Sequence, residues 1–137
     1  MFRVTREIYF CYGHRLLDYA GKCRHLHGHN GTAVITLAGD RLDRRGMLVD
    51  FSDLKRIVGG WIDTTLDHTM LLHKDDPVLP LLREKGERVH ELDVNPTAEN
   101  LAKLIYDYAA GQGFPVIEVR LWETPSCFAA YAAGSGE

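Results

Sequence analysis

The sequence has no apolar run long enough to cross a membrane, and its first residues lack the apolar stretch of a signal peptide. It holds three cysteines, an odd and sparse set that is typical of a reducing compartment rather than of secreted, disulfide-bonded domains. The net charge of -3 gives no general attraction to nucleic acid. These features favour a cytoplasmic protein that binds neither membranes nor nucleic acids.

Internal repeats, low-complexity tracts and glycine-rich loops of the dinucleotide-binding kind are also missing. The residues are 45% hydrophobic and 26% charged, which are ordinary values for a globular protein. A chain of 137 residues suffices for one domain with its own core. We therefore expect a single domain over residues 1–137.

Three histidines in two short segments form a candidate metal site. His27 and His29 are two apart in a stretch that runs into β-branched residues, so in an extended chain both imidazoles leave the same face. His14 closes an apolar run that also predicts a strand, and antiparallel pairing of the two strands would bring it beside the other two histidines. Three imidazoles suit Zn²⁺ and leave a fourth position for water or substrate, as in catalytic zinc sites.

The cysteines leave two alternatives open at this site. If the thiolate of Cys23 takes the fourth position, the site is closed and structural. If it stands off, it is a base or a nucleophile beside a Lewis acid. Cys11 and Cys127 are most simply interpreted as small buried hydrophobic residues.

The pattern of apolar residues predicts the element order strand, strand, helix, helix, strand, strand. Ser52 is a candidate N-cap for the first helix and Thr97 for the second. Between the helices, Pro77, Pro80 and the charged residues 83–91 indicate an irregular connection.

Glu123 stands on the apolar side of a predicted strand. Its position has the same parity as Ile117, Val119 and Leu121. A carboxylate at the end of a buried face is unfavourable unless it is hydrogen-bonded. Either a ligand or a local partner at the strand end can supply those bonds.

Four further segments follow in order along the chain. They are residues 46–51 (GMLVDF), 66–68 (LDH), 95–100 (NPTAEN) and 122–124 (WET). Together with the histidine and cysteine segments, they resemble the 6-pyruvoyltetrahydropterin synthase family, which includes the bacterial 6-carboxytetrahydropterin synthases of queuosine biosynthesis. The resemblance covers nearly the whole chain, and agreement of several separate motifs is more specific than the paired histidines alone.

The resemblance assigns binding roles to the candidate residues. It implies that Glu123 accepts two hydrogen bonds from the edge of a pterin ring, and that Thr97 and Glu99 belong to the substrate-binding residues. It also implies bound Zn²⁺ as the cofactor. The implied ligands are His14, His27 and His29.

The resemblance further implies that Cys23, Asp67, His68 and also Glu123 are catalytic residues. The first three form a relay in which the carboxylate orients the imidazole and the imidazole acts on the thiol. Without the resemblance, Asp67 and His68 are more simply a capping and surface pair at a helix end. Neighbouring residues within one helix do not face each other, so the relay should close through a bend or across a subunit boundary.

The implied activity is that of a zinc-dependent lyase. Three residues separate Cys23 from His27, as in the bacterial carboxy-forming enzymes, whereas the animal pyruvoyl-forming enzymes have a longer gap. This spacing favours conversion of 7,8-dihydroneopterin triphosphate to 6-carboxy-5,6,7,8-tetrahydropterin, with release of acetaldehyde and triphosphate. The alternatives are a pyruvoyl-forming synthase, which only eliminates triphosphate, and a non-catalytic pterin- or zinc-binding protein of the same fold.

Two residues depart from the family pattern. Leu72 stands where many relatives have Asn, and His25 adds an imidazole inside the cysteine segment. They bear on substrate selectivity and metal stoichiometry.

For the architecture, the resemblance implies an α+β tunnelling fold, with an antiparallel four-stranded sheet and two helices on one face. It also implies a homohexamer, a dimer of trimers, with active sites between subunits.

Overall fold

In the computed structural model, which describes residues 1–134, six strands form one mixed sheet. The strands are β1 (Phe2–His14), β2 (His27–Gly39), β3 (Thr69–His73), β4 (Val89–Leu92), β5 (Val116–Thr124) and β6 (Cys127–Tyr131). Their order across the sheet is β4-β3-β1-β2-β5-β6. Among residues 1–134, no helix combines the length and the apolar character that a membrane crossing requires.

The two longest strands, β1 and β2, pair antiparallel along their full length. Their register runs from Phe2 opposite Gly39 to His14 opposite His27. The predicted antiparallel pairing of these strands is therefore confirmed. It brings the last residue of β1 beside the first residue of β2, where the candidate metal ligands lie.

The helical segments are α1 (Phe51–Leu54), a π-helical turn (Lys55–Gly59), α2 (Gly60–Thr65), α3 (Val78–Glu84) and α4 (Ala98–Gly111), and a 3₁₀ turn covers Lys22–Arg24. The predicted cap of α4 is confirmed, because the Thr97 hydroxyl accepts a hydrogen bond from the Asn100 backbone N–H at 3.1 Å. The predicted cap of the first helix is wrong by two residues. Asp50 takes that position and accepts from the Ser52 N–H at 2.8 Å.

One face of the sheet carries the hydrophobic core. Alternate residues of the central strands turn to this face and pack against the helices. The fully buried members include Ala33, Ile35, Val119 and Leu121 from the sheet and Leu54, Val58, Ile62, Leu101 and Ile105 from the helices. Burial of each large aliphatic side chain contributes about 1.5 to 3 kcal/mol to stability.

The expectation of a four-stranded antiparallel sheet with two helices is wrong in part. Strands β1, β2, β5 and β6 do form an antiparallel set of four. The sheet continues beyond β1, however, with β3 and β4, each paired in parallel to its neighbour. A further helix, α3, lies between these two strands.

Strands β3 and β4 and helix α3 occupy the segment between the two predicted helices, for which the sequence predicts an irregular connection. Strand β3 is buried at Thr69, Leu71 and Leu72, so it lacks the alternation that marks a half-exposed strand. Pro77 is the N-cap residue of α3 and Pro80 lies in its first turn, where a proline removes no intrahelical hydrogen bond. The two prolines therefore begin a helix and do not exclude one.

Candidate active site

Three imidazoles meet where β1 and β2 end. The ring centroids of His14 and His27 are 4.5 Å apart, and the ring centroid of His29 lies 5.0 Å from each of these two centroids. One ligand nitrogen from each ring can be chosen so that all three lie within 4.8 Å of one another. The predicted convergence of these three side chains is present.

Backbone carbonyls set the tautomers of two rings. Nδ1 of His14 lies 2.7 Å from the Pro96 carbonyl oxygen, and Nδ1 of His27 lies 2.7 Å from the His25 carbonyl oxygen. A carbonyl only accepts, so each Nδ1 donates its hydrogen and each Nε2 of the neutral ring keeps a free lone pair. This is the outer-shell arrangement that orients metal-binding histidines.

Burial also favours the neutral, metal-binding form of two of the imidazoles, His14 and His29. His14 is 3% exposed, and burial lowers its pKa below the ordinary value in spite of the bond to Pro96. Burial likewise lowers the pKa of His29. The Nε2 atoms of these two rings are 3.1 Å apart. Neutral nitrogens held this close fit a single divalent metal ion such as Zn²⁺.

Gly28, between His27 and His29, lets the two strands approach. A Cβ atom at this position would lie 3.0 Å from the Tyr12 carbonyl oxygen of β1. Any side chain would therefore push β1 and β2 apart at the point where their histidines meet.

Cys23 stands apart from the imidazoles. It lies in the 3₁₀ turn Lys22–Arg24, and it belongs to neither of the two metal-capable clusters found within residues 1–134. The arrangement within one chain thus matches an open three-histidine site better than a closed site with a thiolate. The extra imidazole of His25 accepts from Nε of Arg24 at 3.2 Å and is not part of the trio.

Glu123 faces the imidazoles, as its strand parity predicts. It lies near the end of β5, at a register shift between β5 and β6. Its Oε2 accepts a hydrogen bond from the Tyr12 hydroxyl at 3.2 Å and lies 3.6 Å from Nε2 of His14. No motif or spacing in the sequence marks Tyr12 as a site residue.

Asp67 and His68 form a hydrogen-bonded pair. Helix α2 ends at Thr65, and the chain bends so that Nδ1 of His68 lies 2.8 Å from Oδ2 of Asp67. His68 has a positive φ of 53°, which is rare outside glycine. Burial alone would raise the pKa of Asp67, but bonds from the Cys11 N–H and His68 outweigh it and hold that pKa below its usual range. The sequence predicts contact through a bend or across a subunit boundary. Between Asp67 and His68, the contact forms through a bend within one chain.

The thiol beside this pair is Cys11 and not Cys23. Ligand atoms of Cys11, Asp67 and His68 all lie within 4.8 Å of one another. The expectation that Cys11 and Cys127 are buried is wrong, since Cys11 is partly exposed and Cys127 is exposed. Parity could have singled out Cys11, because odd positions of β1 face away from the core side chains of its even positions.

The two remaining predicted binding residues lie at the start of α4. The hydroxyl of Thr97 is used as the helix cap, and Glu99 is exposed in the first turn. Their link to the site is the preceding Pro96, whose carbonyl holds His14.

A cavity of about 680 Å³ lies beside these clusters. Its lining includes Cys11 and His68 as well as His27 and His29, but not His14. This volume is in the range that accommodates a small organic ligand.

Known proteins resemble this chain over most of its length. A protein of Rickettsia bellii named 6-carboxy-5,6,7,8-tetrahydropterin synthase is 38% identical over 135 residues, which cover 93% of this chain and 98% of that protein. A protein of the same name from Haemophilus influenzae is 30% identical over 139 residues, covering 96% of this chain and 99% of that protein.

Similarity extends to solved structures. The structure of Caenorhabditis elegans 6-pyruvoyl tetrahydropterin synthase superposes with a TM-score of 0.75 at 23% identity, over 97% of this chain and 96% of that chain. At this identity the likeness concerns the fold. The sequence profile of the 6-pyruvoyl tetrahydropterin synthase family matches residues 3–134. The chain therefore belongs to the 6-pyruvoyl tetrahydropterin synthase family of enzymes.

Proposed function

We propose that this protein is a zinc-dependent lyase that converts 7,8-dihydroneopterin triphosphate to 6-carboxy-5,6,7,8-tetrahydropterin, releasing acetaldehyde and triphosphate, in the biosynthesis of queuosine and related 7-deazaguanines. The shared name of relatives that are 30% to 38% identical supports the carboxy product. The observation that carries the proposal is the cluster of His14, His27 and His29, with two of its rings oriented by backbone carbonyls.

The three Nε2 atoms would hold the metal. Bound Zn²⁺ would supply a Lewis acid for the hydroxyl groups of the substrate side chain. Burial lowers the pKa of His14 and of His29, and the carbonyls of Pro96 and His25 hold the tautomers of His14 and His27.

Glu123 would bind the pterin ring. A carboxylate accepts two parallel hydrogen bonds from an amino group and an adjacent ring N–H, which fixes the orientation of the heterocycle. The Tyr12 hydroxyl holds Oε2 in place, and the carboxylate retains further lone pairs for the ligand. Thr97 and Glu99 would complete the binding site from the start of α4.

Proton transfer would involve Asp67, His68 and Cys23. The Asp67 carboxylate orients His68, as their 2.8 Å contact indicates. Because Cys23 lies outside this cluster in its own chain, we propose that it reaches the pair of a neighbouring subunit. This requires a homo-oligomer, for which we propose a hexamer built as a dimer of trimers. The open edges of the sheet at β4 and β6 are available for such contacts.

Two alternatives share the same site. A pyruvoyl-forming synthase would eliminate triphosphate and keep the side-chain carbons, and a binding protein would hold the pterin unchanged. The spacing of Cys23 and His27 and the names of the relatives favour the carboxy-forming enzyme. The cytoplasmic location remains a prediction from the sequence.

Product identification tests the proposal. The purified protein, loaded with zinc, is incubated with 7,8-dihydroneopterin triphosphate. The pterins are then separated, and their masses are determined by mass spectrometry. We expect 6-carboxy-5,6,7,8-tetrahydropterin together with acetaldehyde in equal amounts. A pyruvoyl product without acetaldehyde would identify the first alternative, and unchanged substrate would identify the second.

A further inference from the structure

The loop that carries Cys23 is bonded to the side chain of Asn95. Residues 15–26 connect β1 to β2, and Cys23 lies in their 3₁₀ turn, Lys22–Arg24. A turn this short satisfies few of the backbone groups of a loop, so the position of the loop depends on hydrogen bonds to other segments. Asn95 supplies two such bonds.

The side-chain amide of Asn95 brackets the main chain of Leu17. Its Oδ1 accepts from the Leu17 N–H at 2.8 Å, and its Nδ2 donates to the Leu17 carbonyl oxygen at 2.9 Å. An amide offers an acceptor and a donor side by side, whereas a carboxylate of the same size only accepts. Asparagine therefore fits this position and aspartate does not.

These bonds extend to Cys23 through the residue next to Leu17. The Leu16 N–H donates to the Cys23 carbonyl oxygen at 2.8 Å. Asn95 thus holds one side of the loop, and the Leu16 bond joins the Cys23 turn to that side. Leu17 and Asn95 are 78 residues apart, so this link connects the thiol-bearing turn to a distant segment of the chain.

Asn95 is itself held in place by its neighbours. It precedes Pro96, and the proline ring restricts the residue before it to extended backbone conformations. The Asn95 carbonyl oxygen accepts from the Thr97 N–H at 2.8 Å and from Nδ2 of Asn100 at 2.9 Å. The amide therefore projects from a hydrogen-bonded turn at the start of α4.

The same turn also contacts a proposed metal ligand. The carbonyl oxygen of Pro96 lies 2.7 Å from Nδ1 of His14. Two adjacent residues, 95 and 96, thus bond to the imidazole at the end of β1 and to the loop that leads to Cys23. They relate the position of the Cys23 turn to that of the three imidazoles.

We propose that Asn95 is a positioning residue for Cys23, which sets the place of the Cys23 turn relative to the three imidazoles. The proposal rests on the pterin lyase function and on Cys23 as its proton-transfer residue. Asn95 acts through the main chain of the loop and takes no part in the chemistry. Because a misplacement of about 1 Å can cost about a hundredfold in rate, a loosened Cys23 turn should lower turnover while zinc stays bound.

Hydrogen exchange of the Leu16 N–H tests the positioning without any pterin. Asn95→Ala leaves both atoms of the bond between Leu16 and Cys23 unchanged, so faster exchange at Leu16 reports detachment of the turn. We expect an acceleration of about tenfold, measured on the zinc-loaded protein by mass spectrometry at the resolution of single residues. Tyr106→Phe is the matched control, because it removes a side-chain bond to the Val116 carbonyl oxygen and should leave Leu16 exchange unchanged.

Steady-state kinetics test the catalytic consequence. At a temperature well below unfolding, Asn95→Ala should keep zinc content and KM near wild type while kcat falls about tenfold or more. Asn95→Asp keeps the acceptor for the Leu17 N–H, but its carboxylate faces the Leu17 carbonyl oxygen, so its kcat should fall as well. Tyr106→Phe should retain full kcat, although it also loses a bond from a side chain to the backbone.

Full kcat in Asn95→Ala, or Leu16 exchange at the wild-type rate in that variant, would overturn the proposal. Loss of zinc or of the folded state in both Asn95 variants would also overturn it, because Asn95 would then support the fold as a whole. Wild-type protein that forms no pterin product would overturn the proposed function and the kinetic role with it. Leu16 exchange would still decide whether Asn95 holds the Cys23 turn.

Discussion

The Tyr12 hydroxyl donates a hydrogen bond to Oε2 of Glu123 at 3.2 Å and so joins β1 to β5 beside the three imidazoles. Tyr12 is 3% exposed, and burial, together with the nearby carboxylate, raises its pKa above the ordinary value. The hydroxyl therefore remains a proton donor at all physiological pH values. Among residues 1–134, Tyr12 is thus the one hydrogen-bond partner of the Glu123 side chain, and its other lone pairs remain for a ligand.

Glu123→Gln should weaken pterin binding by about thirty- to a thousandfold, or about 2 to 4 kcal/mol, because an amide N–H then faces donors of the ring. Calorimetric titration of a pterin into both proteins measures this. Tyr12→Phe is the matched control: it removes the hydrogen bond between Tyr12 and Glu123 but keeps the carboxylate, so its loss of affinity should be much smaller. Equal affinity of wild type and Glu123→Gln would place pterin recognition elsewhere. Loss of zinc by Glu123→Gln would make Glu123 a metal ligand instead.

The double variant His27→Ala, His29→Ala should lose the metal. Wild-type protein should carry about one zinc per chain, since three imidazoles form a complete catalytic ligand set. Elemental analysis after dialysis compares the two proteins, with His73→Gln as a control that keeps every proposed ligand. Full zinc retention by the double variant would contradict the assignment of the ligands.

Cys23→Ala should keep the zinc and lose turnover. Cys23 stands outside the imidazole cluster, so its removal should leave metal content near wild type. Loss of an acid–base group should lower kcat by on the order of a hundredfold. The readouts are elemental analysis and product formation, with Cys127→Ala as the control. Joint loss of zinc and activity would instead indicate a closed site with the thiolate as fourth ligand.

Arg15 and Asp76 stabilise the end of β1 next to His14. Nε of Arg15 donates to Oδ2 of Asp76 at 2.7 Å, and Asp76 is 1% exposed. Hydrogen bonds from Arg15 outweigh burial and hold the pKa of Asp76 below its usual range. A depressed carboxyl pKa contributes stability above the unfolded value of about 3.9, and that contribution is lost as the pH falls through the folded pKa.

Asp76→Asn should therefore lower the free energy of unfolding by about 3 kcal/mol near neutral pH, because Arg15 loses its charged partner. Below about pH 4 the wild-type stability should fall more steeply than that of the variant. Urea unfolding at one fixed protein concentration measures both curves. Asp107→Asn, in the exposed pair with Lys103, is the control and should change stability little. Parallel pH curves for wild type and Asp76→Asn would contradict the account.

Local patterns predicted the part of the site formed by β1 and β2. Alternation along a strand determines which side chains share a face, so the convergence of His14, His27 and His29 followed from spacing and one antiparallel pairing. The orientation of Glu123 followed from the same parity. The cap at Thr97 depends only on the next three residues.

These local patterns could not predict contacts between distant segments of the chain. Tyr12 and Glu123 are 111 residues apart, and Cys11 and Asp67 are 56 apart, so no local spacing brings either pair together. Strands β3 and β4 also depend on non-local pairing, and the burial of β3 removes the alternation that would reveal it.

Zinc titration into metal-free protein tests the central claim most directly, namely that the three-histidine site carries the pterin chemistry. Formation of 6-carboxy-5,6,7,8-tetrahydropterin is measured at each zinc concentration in the wild type and in the His27→Ala, His29→Ala variant. We predict that the rate in the wild type rises from near zero to a plateau at about one zinc per chain, and that the variant forms no product. Product formation at the full rate without metal, or by the zinc-treated variant, would contradict the account.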